Sequence, residues 1–252
     1  MNKQEYQEMR DEFAGLVYQY ERYLKVGFLT DCRYNAVFFD SLKVIRRCEA
    51  EIAVITQAIR AKESHPIDQI LKGIEKAKED FAKEIVQTEN KHNYCVQLLS
   101  IIDKFDKSVF DICEKNFRDF IFAYHPVVNL NTDPNAKNIY EMAKRFYVEC
   151  NYLGFDEYLE NNKKVFEVPE IAEEKYTEAS QVYFQFRTTI NKTLNELPKS
   201  YPYNKIELFN DEMTVRAEKD DLEIKAKQMT EALKSAKKDF KNVFSFDFTL
   251  AD

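Results

Sequence analysis

An arginine, an aspartate and one of the chain's three histidines fall together in KNFRDFIFAYHPVV, residues 115–128. Histidine titrates near neutrality, so it can take a proton from a ribose 2′-hydroxyl or give one to a leaving oxygen. Arginine offers fixed donors for the extra negative charge on a pentacoordinate phosphorus. On a helix, seven steps of about 100° bring His125 to within about 20° of the face that carries Arg118. Their Cα atoms would then stand about 10.5 Å apart, too far for a direct bond but within joint reach of one phosphate. Such a pair could cleave RNA without a metal. A purely structural alternative needs no ligand. Arg118 would pair with Glu114 one turn earlier, and His125 would end the helix before Pro126, its charged form favoured by the carbonyl end of the helix.

Other chemistries find no residues to carry them. Glycines stand only at 15, 27, 73 and 154, so the chain has neither a glycine-rich phosphate loop nor the glycine-flanked serine of a nucleophile elbow. A carboxylate metal centre in a bundle needs two Glu-x-x-His pairs on facing helices, and the sequence has one, Glu89 with His92. That lone pair reads as a polar kink, and no metal or cofactor is expected. Arg60 and His65 also meet the bare spacing, but Ala61 follows the arginine and His65 precedes Pro66 in a turn.

The elements that must position these residues are helical. With Gly 4 and Pro 6 among 252 residues, the punctuation that frequent β-turns need is missing, and few, long elements follow. The hydrophobic content of 44% is enough for a sizeable core. Tyr6, Met9, Phe13, Leu16, Tyr20 and Tyr23 mark a first helical face that Gly27 is expected to stop. Thr30 or Asp31 would cap a second helix, antiparallel to the first, through Phe38, Leu42, Ile45, Ile52, Ile55 and Ile59. Past His65-Pro66 the period continues toward Tyr124, but one helix from 67 to 124 would be about 87 Å long. The polar TENKHN, residues 88–93, is therefore read as a kink or loop.

HPVVNLNTDPNA, residues 125–136, reads as loop. A helix from about Asn138 past Cys150, with a bend near Gly154, comes next, and Pro169 starts another that Pro198 and Pro202 halt. Leu222, Ala226, Met229, Leu233, Ala236, Phe240 and Val243 form a heptad stripe that favours packing within the chain. The tail FSFDFTL alternates like a strand too short to stand alone. The expectation is an all-α bundle of long antiparallel helices over 1–197, with a C-terminal helical extension and tail over 198–252.

A net charge of -7 gives no diffuse attraction to nucleic acid, and no DNA partner is expected. A local basic patch is available in the lysine-rich KAKQMTEALKSAKKDFK, residues 225–241, which would contact RNA phosphates or an acidic partner with steep salt dependence. There is no apolar leader and no membrane-spanning run, so a cytoplasmic location without membrane contact is expected. Five widely spaced cysteines without a C-x-x-C pair read as reduced residues on helix faces.

Arg118, followed directly by the polar Asp119 and separated from His125 by the six residues DFIFAY, resembles the motif of the HEPN superfamily. The resemblance covers this motif and the helical character of roughly the first 150 to 200 residues. It implies an all-α bundle, usually a homodimer, in which arginine and histidine from two protomers line one cleft. It implies metal-independent endoribonuclease activity of a toxin, phage-defence or RNA-processing kind, with RNA as substrate and an antitoxin or other regulatory protein as a possible partner. Arg118 would stabilise the phosphate, His125 act as acid or base, and Asp119 orient the site. The alternative is a non-catalytic helical interaction or scaffold protein.

Overall fold

The computed structural model describes residues 1–130, 134–162 and 171–249. Its architecture is all-α, and no strand occurs among the described residues. Helix α1 spans Lys3–Ala61, α2 Ile67–Ile102, α3 Lys107–Tyr124, α4 Pro134–Val148, α5 Tyr152–Asn162, α6 Tyr176–Glu196 and α7 Glu212–Phe244. Short 3-10 turns at Glu173–Lys175, Leu197–Lys199 and Tyr203–Asn210 join the later helices.

The chain divides into two compact units. One comprises residues 1–31 and 98–207, the other residues 32–97 and 208–252. The division does not fall at 198. Each unit takes one half of α1 and a later stretch of the chain, so a boundary sought along the sequence misses it.

The first unit starts from a reciprocal cap. The Asn2 amide donates to Glu5 Oε2 and the Glu5 amide to Asn2 Oδ1, each at 2.9 Å, which satisfies two donors that a helix start leaves free. The helix does not stop at Gly27, and no second helix starts at Thr30 or Asp31. A Cβ on Gly27 would lie 2.3 Å from Cε1 of Tyr203, and the Tyr203 ring also stacks on Tyr23, with centroids 5.0 Å apart. Glycine is there to admit a ring, at a helix-propensity cost of about 1 kcal/mol. Thr30 donates its hydroxyl back to the Val26 carbonyl, and Asp31 accepts from the Tyr201 hydroxyl at 2.6 Å. Both expected caps thus serve inside a continuous helix.

The core of this unit is aromatic. Phe117 stacks on Tyr147 with centroids 3.6 Å apart, Phe120 on Tyr140 at 5.4 Å, Tyr6 on Tyr176 at 4.3 Å and Phe13 on Tyr183 at 4.8 Å. Between α4 and α5 the chain turns at Cys150, whose φ of 56° lies in the left-handed region. The helix expected to run past Cys150 ends at Val148 instead, and Gly154, the expected bend, lies inside α5. The expected helix start at Pro169 lies outside the described residues.

In the second unit α2 runs unbroken through residues 88–93, contrary to the kink expected there. Two of the polar side chains, Glu89 and His92, have partners on α1. Lys43 pairs with Glu89 at 2.6 Å, the His92 ring stacks on Phe39 at 3.9 Å, and His92 Nδ1 donates to the Asn35 carbonyl at 3.1 Å. The interruption falls at 103–106 instead, where Asp106 caps α3 by accepting from the Ser108 amide.

Helix α7 begins where Asp211 accepts from the Met213 and Thr214 amides. Its stripe is used within the unit. Leu233 and Phe240 are buried in one cluster with Cys48, Ile55, Ile70, Ile74 and Phe81. Phe248 of the tail is buried in the same cluster, beside Phe240, so the tail docks as a coil led by one aromatic. All five cysteines are buried.

Candidate functional site

Helix α3 positions the sequence-predicted residues. It buries Cys113, Phe117, Phe120 and Ile121 on one face, which leaves Arg118 and Asp119 exposed on another. The helix ends at His125, whose amide still donates to the Ile121 carbonyl while its own backbone is extended, as a residue before proline favours.

Arg118 and His125 have different partners. The Arg118 guanidinium lies over the Phe122 ring, 5.7 Å from its centroid, one turn along its own helix. The His125 ring packs edge-on against Tyr140, with centroids 4.6 Å apart. Its Nδ1 accepts from the amides of Val127 and Val128, both at 3.2 Å. An imidazole nitrogen that accepts carries no proton, so the proton resides on Nε2. Burial, helped by the Lys144 charge, pushes the His125 pKa down to about 3. The ring is thus neutral at pH 7, with its lone pair committed to the backbone. A general base needs a free lone pair and a pKa near the working pH, and His125 has neither in this arrangement. The charged, dipole-stabilised histidine of the structural alternative is absent too, because removal from water outweighs the helix end.

Glu114 is not the partner of Arg118. Its Oε1 accepts from Lys25 Nζ at 2.8 Å, and its Oε2 accepts from the hydroxyls of Tyr18 and Tyr147, each at 2.8 Å. Lys25 is buried, with its ammonium 4.2 Å from the Tyr147 centroid and 5.0 Å from that of Tyr152. Burial alone would raise the Glu114 pKa, but Lys25 and the two hydroxyls outweigh it and hold the carboxyl below its ordinary value. Sequence reading offers no signal for this group. Tyr18 and Lys25 stand 96 and 89 residues from Glu114, and no helical period links them.

Glu21 is a buried carboxylate. Glu21 on α1 is 3.6 Å from Lys144 on α4, which also holds Glu141 at 2.5 Å. Glu21 Oε2 and the Tyr140 hydroxyl have no hydrogen-bond partner among the described residues. Burial, against the opposing Lys144 charge, raises the Glu21 pKa to about 7. Tyr140 therefore has His125 packed on its ring and feels the Glu21 charge.

Four of the six lysines in residues 225–241 have a carboxylate partner. Lys225 lies 3.4 Å from Glu49, Lys234 2.6 Å from Glu231, Lys237 2.6 Å from Glu51 and Lys241 3.0 Å from Asp247. Glu51 is itself buried and also pairs with Arg47 at 2.9 Å. Among the described residues no helix is long and apolar enough to cross a membrane.

Comparison with protein-family models, with curated proteins and with solved structures gave no match. Side-chain geometry is therefore the ground for any functional reading.

Proposed function

We propose that this chain is a non-catalytic helical interaction protein. The observation that carries the reading is the state of His125, neutral and accepting two backbone amides through Nδ1. To serve as acid or base beside Arg118, the ring would have to leave Tyr140 and strand the Val127 and Val128 amides. Each buried donor left unsatisfied costs about 1–3 kcal/mol.

Exposed apolar side chains supply the means of interaction. Leu153 is 82% exposed, Met213 79% and Phe184 71%, although full burial of a Phe or Leu contributes about 1.5–3 kcal/mol. Nuclease action by a HEPN-like site is the competing proposal, and the exposure of Arg118 and Asp119 is what favours it.

Incubation of purified protein with total RNA in the presence of a chelator separates the two. The interaction reading expects no cleavage, and no difference between wild type and His125→Ala. Cleavage that disappears in both Arg118→Ala and His125→Ala, with helicity by circular dichroism unchanged, would restore the nuclease.

A further inference from the structure

In the first unit, α1 and α6 pack through Phe13, Tyr183, Tyr6 and Tyr176. Beside this aromatic seam runs an open groove of about 580 Å³. Met9, Phe13 and Leu16 supply its apolar side from α1, and α6 supplies Tyr183 and Phe184. Phe184 is 71% exposed, so it stands on the groove wall without filling the groove. Residues 184–189 of α6 are all exposed, an unusual run for a helix whose other face is a core.

Two features of this face point to its occupant. The first is charge. The chain carries -7 overall, yet the groove is bordered by one acid and one base, Glu12 and Arg187, 3.6 Å apart and both more than half exposed. The rest of its polar lining is uncharged: Ser180, Gln181, Gln185 and Asn191. Like-charged copies of one protein repel, and they meet most easily through a patch that is neutral and carries both signs. The second is shape. An aromatic knob and an apolar groove occupy the same face, which is what a two-fold contact requires, because the same patch must then be both donor and receiver.

We propose that the α1–α6 groove is a self-association surface that takes a second copy of this chain. Phe184 of each protomer enters the groove of the other, and Glu12 of each meets Arg187 of its partner. This rests on the interaction reading above and names the partner. The contact is a single groove, smaller than the surface of about 800 Å² per partner that stable complexes use. Affinity in the micromolar range is therefore expected.

Sedimentation equilibrium of the full chain between about 1 and 200 μM, bracketing that range, tests the proposal. Wild type is expected to show a monomer–dimer equilibrium, and Phe184→Glu to remain monomeric with unchanged circular dichroism. Glu12→Arg and Arg187→Glu are each expected to weaken the dimer at least tenfold. An equimolar mixture of these two variants is expected to dimerise again. Within one chain each variant places like charges together, so only contact between chains restores opposite ones.

A wild-type monomer throughout the range overturns the proposal and leaves the groove to another partner. A dimer indifferent to Phe184→Glu and to both charge reversals overturns it as well. Neither result bears on RNA cleavage, whose assay fails or succeeds independently.

Discussion

The two units solve the same problem, burying long helices, with different side chains. In the first, the largest fully buried side chains include Tyr140, Tyr147, Tyr183, Phe117 and Phe155, and Lys25 and Glu21 lie buried as well. In the second, Ile55, Ile70, Ile74, Phe81, Leu233 and Phe240 form the seam, and the buried Glu51 is held between Arg47 and Lys237. Long, regular helices can meet through periodic apolar stripes. The first unit relies instead on stacked rings and on charges fixed by several partners. Polar burial of that kind is costly unless every group is satisfied.

The largest effects should separate the units. Phe240→Ala removes a ring from the apolar seam of the second and should cost about 3–5 kcal/mol. Glu114→Ala leaves Lys25 buried without its carboxylate in the first and should cost a comparable 3–5 kcal/mol or so. Amide hydrogen exchange under native conditions reads each substitution locally. Phe240→Ala should speed exchange in α7 and the second half of α1, Glu114→Ala in α3 and α4. The double change Lys25→Met with Glu114→Gln should recover part of the loss, because the stranded charge is then gone. Equal slowing or speeding everywhere would mean that the cores are not separate.

A smaller effect sharpens the contrast at glycine. Gly27→Ala forces its new methyl against Tyr203 and should destabilise by about 1–3 kcal/mol, the usual range for overpacking. Gly15→Ala and Gly73→Ala meet nothing within 4 Å and should each stabilise by about 0.5–1 kcal/mol through helix propensity. Thermal melts of the three variants check the signs.

The smallest effect is a pH dependence hidden in the wild type. The folded pKa of Glu21 is raised to about 7, so between its unfolded value and 7 the native state holds the extra proton and stability falls as pH rises. The folded pKa of His125 is lowered to about 3, so between 3 and its unfolded value the unfolded state holds the extra proton and stability rises with pH. From about pH 4.5 to 6.5 the two oppose each other. Urea midpoints should therefore be nearly flat there for wild type, should fall toward acid in Glu21→Gln, and should fall toward neutrality in His125→Asn. Each slope should be at most about 1.4 kcal/mol per pH unit.

What could be read from the sequence divides along the same line as the cores. The apolar period of α1, α2 and α7, and the packing of the 222–243 stripe, follow from spacing alone, since a buried face must recur every three or four residues. Gly27 misled because glycine marks helix ends more often than ring contacts, and Tyr203 is far away in sequence. TENKHN misled because Glu89 and His92 find partners in Asn35, Phe39 and Lys43 on another helix. For the site, the placement of Arg118 and Asp119 on the open face of α3 follows from the period. The orientation of His125 does not, because two backbone amides and Tyr140 decide it after the helix has ended.

Glu114 has one more consequence. Apolar stripes tolerate sliding: two helices displaced by a full turn of about 5.4 Å still present hydrocarbon to each other. A carboxylate that simultaneously engages Lys25 and Tyr18 of α1 and Tyr147 of α4 has one position at which all three distances close. It acts as an index mark for the alignment of α1, α3 and α4, and so selects one arrangement among several that the aromatic core alone would accept.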